Sequence, residues 1–224
     1  MRILIAVTVA ALATAACTVR APEAAVDGKD ATNGTTGTSM TSTTTATTFG
    51  ERVDPEQEEI IGNDSLAAWR VAVKHAKQGD MPKKEWDAQR AKDEQQALTM
   101  LKDLESRYPK SSTVQFMMGQ VEDHFGKHEE AVKFFGKSTE NNTNNGMYLF
   151  KLAESESKAG QYDKAIDNYK RIQQHGSDEW FVKLGLARAL KAKNPGDPEA
   201  KRLLEQVLQE QPDNAEAKSL LSSK

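Results

Sequence analysis

The chain of 224 residues holds a single cysteine, Cys17, so no internal disulfide braces it and its stability must come from packing. A pI near 5.9 and a formal charge of −3, with both signs interspersed, exclude the basic stripe that nucleic-acid binding needs. Charges distributed this way belong to solvated helix faces. The apolar run over residues 3 to 13 is too short to cross a bilayer, which takes about 20 residues. The chain also lacks a G-x-S-x-G elbow, a phosphate-cradling glycine loop and a second cysteine for a zinc cluster. His124 and His128 are spaced like a pair of helical metal ligands, but Gly126 between them marks a turn, so they cannot share one face. His75 and His175 stand alone near helix ends. The expectation is a chain that is not an enzyme and takes no cofactor or metal.

What the sequence does contain is a repeat. Gly126, His128, Ala131 and Phe135 recur 34 positions later as Gly160, Tyr162, Ala165 and Tyr169. The spacing G-x-aromatic-x-x-A-x-x-x-[F/Y] holds in both copies, with His128 once replacing a ring. A period of 34 with small residues at fixed offsets predicts stacked helical hairpins, an all-α solenoid. The physics fits the residue types. Ala131 and Ala165 sit where the two helices of a hairpin approach, Gly119 and Gly185 where neighbouring units meet, and Gly126 and Gly160 end a helix. Phe135, Tyr169 and Leu204 fill the space between hairpins.

The N-terminus has a different character. Met1-Arg2, the apolar run and Ala15-Ala16 make residues 1–16 a secretory signal peptide, with Cys17 as the first mature residue. This resembles the lipobox of bacterial lipoproteins, in which lipid is attached to the cysteine. Thr14 departs from the Leu usual there, and ordinary cleavage after Ala13-Thr14-Ala15 is the other reading. Residues 17–60 are expected to be a disordered linker, Thr/Ser/Gly-rich from 32 to 48 and acidic from 51 to 59. As flexible coil the stretch before residue 60 would span about 35 Å.

Residues 61–224 resemble a tetratricopeptide repeat domain. One copy carries Gln115, Met118, Gly119, Ala131 and Phe135, and the next Leu149, Leu152, Ala153, Ala165 and Tyr169. A third has Phe181, Leu184, Gly185, Ala200, Leu204 and Pro212, with three surplus residues assigned to the loop at 193–197. The units fall at about 112–145, 146–179 and 178–212, followed by a cap helix at 213–222. Upstream, Ala97, Leu101 and Pro109 mark an irregular unit at about 65–109. Its first helix is expected over 65–78, and its second begins near Pro82 and overruns the normal length. Glu122, Glu156 and Arg188 replace the family's Tyr, and Thr143 and Ser177 its Pro. Trp69, Trp86 and Trp180 read as core residues. Trp86, among Lys83, Lys84, Asp87 and Arg90, either packs on the first helix or is an exposed contact.

The resemblance implies a protein-binding array whose first helices line a concave groove. The positions carried over are Thr113, Phe116, Gln120, Asp123 and His124, then Met147, Phe150, Glu154, Ser157 and Lys158, then Glu179, Val182, Leu186, Ala189 and Leu190. The cation and Asn set of the carboxylate-clamp members is lacking. An apolar patch of Phe116, Met147 and Phe150 would take an amphipathic helix or an extended peptide, unless those residues pack within a tight superhelix. The function expected is a lipid-anchored envelope scaffold with envelope proteins as partners, similar to pilotins and assembly factors. Thr18 rather than Asp after the cysteine implies the outer membrane, facing the periplasm. The alternative is a peptidoglycan-associated adaptor that regulates cell-wall enzymes.

Overall fold

The structure, a computed structural model, describes residues 55–143 and 145–223, with side chains from Gln57 onward. The signal segment, Cys17 and most of the linker lie outside the described residues. Among the described residues every regular element is a helix: α1 (Pro55–Ala72), α2 (Lys83–Arg107), α3 (Ser112–His124), α4 (His128–Asn141), α5 (Gly146–Lys158), α6 (Tyr162–Gln174), α7 (Trp180–Lys193), α8 (Pro198–Glu210) and α9 (Ala215–Ser222). Consecutive helices pair as hairpins, α1 with α2, α3 with α4, α5 with α6 and α7 with α8, and each hairpin packs on the next. No helix among them is long and apolar enough to cross a membrane.

Local chemistry sets the breaks. Gly126, Gly160 and Gly176 adopt φ of 79°, 75° and 88°, the left-handed conformation that glycine enters without a Cβ clash. Each closes a Schellman turn: the amides of Lys127, Gln161 and Ser177 return to the carbonyls of Glu122, Glu156 and Ile172. Restarts are capped by side chains. Ser111 accepts from Val114 N, Asn145 from Met147 N and Tyr148 N, Asp197 from Glu199 N and Ala200 N, and Asn214 from Ala217 N.

The repeat positions form the core. Ala97, Leu101, Ala131, Phe135, Ala165, Tyr169, Ala200 and Leu204 are all buried. One cluster joins Ile61, Ala68 and Ala72 of α1 to Leu101 and Leu104 of α2 and to Val114, Met118 and Val121 of α3. A second runs from Ala131 through α8 to Ala217 of the closing helix, where Leu220 and Leu221 pack on it. A solenoid needs such an end, because its last hairpin has no neighbour to cover its apolar face.

Three expectations change here. The first helix spans Pro55–Ala72, not 65–78. It takes in residues 55–60, assigned to the linker because an acidic run has no apolar period of its own. Pro at the first turn and carboxylates near a helix N-terminus both favour this start, and Ile61, Ser65, Ala68 and Ala72 give the buried stripe. Beyond Ala72 the chain turns, reaching Gly79 at φ 57°. Second, the surplus of the third repeat lengthens α7, which continues to Lys193 before a short loop. Third, His75 is not alone: its Nδ1 lies 2.6 Å from Oδ2 of buried Asp93, whose Oδ1 accepts from Gln89.

Candidate protein-binding groove

The groove positions fall on the first helices of the hairpins, and the structure divides them into three groups. On α3 and α5 the aromatic residues are half-buried and joined to the following unit. Phe116 stacks on Tyr148 with centroids 4.5 Å apart and meets Phe135 at 5.4 Å. The Tyr148 hydroxyl is 3.4 Å from that of Thr113. Phe150 lies edge-on to Phe181 at 5.2 Å and to Tyr169 at 5.9 Å, with Lys151 over its ring. These rings hold successive hairpins together and still leave part of their surface open. Met147 on α5, beside Tyr148 and Phe150, is 50% exposed, a large apolar side chain facing solvent. Gln120 is half-buried.

The second group is polar and tied down. Asp123 accepts from His128 Nδ1 at 2.8 Å, Ser155 Oγ at 3.2 Å and Lys158 Nζ at 2.6 Å. One carboxylate therefore links α3, α4 and α5. Burial pushes its pKa up, but the Lys158 and His128 hydrogen bonds and charges outweigh that and hold the carboxyl below the usual range. Glu154 accepts from Lys151 Nζ at 2.7 Å. His124 is half-buried, its ring edge-on to Trp69 of α1 at 5.5 Å.

The third group is a correction. Val182 and Leu186 are 1% and 0% exposed and belong to the core. They cannot meet a partner in a groove. Ala189 and Leu190 are buried as well. Helix α7 is packed by α6 and α8, α9 is joined to it through Arg188–Glu216, and Lys191 reaches the carbonyl of Ser223 just past α9, so most of its surface is covered. The accessible part of the groove is thus built by α3 and α5.

Sequence reasoning missed Tyr148 and Phe181, which the repeat alignment placed outside the groove set although each contacts a groove ring. Aromatic residues one position from Met147 and Val182 were the available signal. Trp86 is half-buried rather than a freely exposed contact, and it is held by the turn after α1: its Nε1 donates to the His75 carbonyl at 2.9 Å, and Arg90 lies over its ring at 5.0 Å. At the positions where the family has Tyr, Glu156 accepts from Asn168 at 2.8 Å and Arg188 pairs with Glu216 at 2.7 Å. Glu122 is buried and its Oε2 has no hydrogen-bond partner among the described residues. Burial raises the pKa of both carboxyls. No group of acidic, His or Cys side chains among the described residues has a metal-holding arrangement.

Comparison with known proteins agrees with this architecture. Residues 157–223 match one tetratricopeptide repeat model and residues 87–111 another. No curated protein matches the chain significantly. Among solved structures, a MamA RS-1 ArsTM double mutant superposes with a TM-score of 0.56 at 14% identity, covering 72% of this chain and 83% of its own. A crystal structure of MamA protein gives 0.55 at 15% identity, covering 71% and 80%. At such identities the likeness is one of fold. The matched repeats and the shared architecture identify the folded region as a tetratricopeptide-type helical-hairpin solenoid.

Proposed function

We propose that this chain is a non-catalytic protein-protein interaction scaffold that takes an amphipathic helix or an extended peptide on the surface of α3 and α5. The observation that carries the reading is Met147. It is half exposed on the same helix as two rings already engaged in holding the hairpins together. An exposed apolar side chain close in sequence to half-buried rings, with the polar Glu154 two turns further along the same helix, offers a partner apolar contact with polar groups on the same element. The repeat fold supports the same reading, because stacked hairpins present extended binding surfaces.

The rest of the reading draws on the N-terminal sequence. Ala15-Ala16-Cys17 supports a lipid on Cys17, and Thr18 supports retention at the outer membrane, facing the periplasm. The scaffold would then serve as an assembly or pilotin-like factor for envelope proteins. Met147→Asp places a charge at the exposed position and leaves the half-buried rings in place. Capture of envelope partners by the wild type, lost in this variant, is the expected result. Equal capture by both would overturn the groove assignment, and capture of cell-wall enzymes would replace assembly with an adaptor role. For the anchor, palmitate labelling is expected in the wild type and lost in Cys17→Ser. Labelling that persists in the variant would remove it.

A further inference from the structure

Helix α1 meets α3 through the apolar cluster of Ile61, Ala68 and Ala72 and, at its C-terminal end, through an ionisable ring. His124, the last residue of α3, meets Trp69 of α1 edge-on at 5.5 Å and Phe125 at 5.0 Å. From α2, Arg90 reaches the same place. Its guanidinium lies 5.0 Å from the Trp86 ring and 4.9 Å from the Phe125 ring, and Nη2 donates to the His124 carbonyl at 3.4 Å. The Nε2 atom of His124 and the Nε atom of Arg90 are both buried without a hydrogen-bond partner among the described residues. The carboxylate adjacent on α3, Asp123, is taken up by Lys158, His128 and Ser155. On α2, Asp93 is engaged by His75 and Gln89, and Glu94 by Lys127. Helix α1 meets the ring with the uncharged Trp69.

We infer that His124 is an acid-sensitive latch: a proton on its ring loosens the C-terminal end of α1 from α3. Protonation puts a hydrogen on a buried Nε2 that has no acceptor, next to a guanidinium that is already cationic. The face of an indole attracts a cation and its edge does not, and the contact does not replace the lost solvation of a charge held beside another of the same sign. Burial and then Arg90 hold the imidazole below its ordinary value of 6.5, with nearby Asp123 opposing them. The native state therefore binds fewer protons here than the unfolded chain. The docking is complete above 6.5 and weakens as pH falls through that value towards the lowered one. The C-terminal end of α1 is the part that responds, because Trp69 meets the ring there, while Ile61 and Ala68 stay packed in the cluster shared with α2 and α3.

The test is amide hydrogen exchange on the whole folded chain at about pH 7.5 and about pH 5.5, expressed as protection to remove the intrinsic pH dependence. The expected result is a selective loss of protection at the C-terminal end of α1, with α7 and α8 unchanged. His124→Phe keeps an aromatic ring against Trp69 and abolishes the loss, and His124→Gln serves as a second variant without a titrating ring. A protection profile in α1 that does not change with pH, or one that changes equally in the wild type and in a folded non-titrating variant, overturns the latch.

Discussion

The ring of Tyr169 on α6 lies directly on Gly185 of α7, so closely that a β-carbon at residue 185 would come within 2.5 Å of Cζ. Phe135 makes the equivalent approach to Gly119 at 2.8 Å, but within its own hairpin. The two rings occupy the same repeat position and lean in opposite directions. The difference follows from the small residue available: in the middle unit the glycine position is Ala153, which is itself buried, so Tyr169 turns to the next hairpin. Gly119 thus fits the inside of one hairpin, whereas Gly185 does join two units as the repeat pattern implied.

Gly185→Ala is expected to destabilise the solenoid. The added methyl gains up to about 1 kcal/mol of helix propensity, but it meets a fully buried ring, and overpacking of this kind costs about 1–3 kcal/mol. Gly136→Ala on α4, where a β-carbon meets nothing within 4 Å, should instead gain the propensity term. Denaturant unfolding of the two variants, with opposite signs of shift in midpoint, checks the assignment.

Much of this packing was legible from residue type and spacing alone. The period of 34 placed Ala131, Phe135, Ala165 and Tyr169 correctly in the core, because small and aromatic side chains at fixed offsets have only one use in a hairpin stack. The start of α1 was hidden because Glu56, Glu58 and Glu59 carry no apolar period, and the reason for a helix there is Ile61 reaching α2 and α3. The exposure of the candidate groove residues was half legible. Met147 proved exposed, whereas Val182 and Leu186 occupy aligned groove positions yet are covered, since burial depends on neighbours that alignment to a repeat does not describe.

Glu122→Gln should stabilise the protein near neutral pH. Burial raises the pKa of Glu122, with Lys127 opposing and Glu94 adding to the rise, so the native state prefers the protonated acid. Its ionised form therefore weakens the fold at pH values above the ordinary 4.5, and the penalty disappears as pH falls through the raised value towards 4.5. The difference in thermal midpoint between wild type and variant, followed with pH, should shrink on acidification.

Asp123→Asn should act in the opposite sense. The carboxyl sits below its ordinary 3.8, so its stabilisation is present above that value and is lost as pH falls through the lowered one. Removing the charge that receives His128, Ser155 and Lys158 should cost about 1–2 kcal/mol at neutral pH. The cost should diminish below the ordinary carboxylate range. Part of it should also fall with added salt, because Lys158 is 40% exposed. Unfolding curves at two salt concentrations and across the acid range separate these contributions.

The measurement closest to the central claim is in-cell crosslinking of the full-length chain with mass spectrometry of what is captured, comparing the wild type with Met147→Asp. Met147 is half exposed, so the variant should keep the wild-type thermal midpoint. The expected result is a specific set of envelope proteins recovered with the wild type, crosslinked to peptides of α3 and α5, and lost from the variant. Recovery of the same proteins in equal amounts with both chains, or crosslinks confined to the outer helices α4, α6 and α8, would contradict a scaffold that binds through this groove.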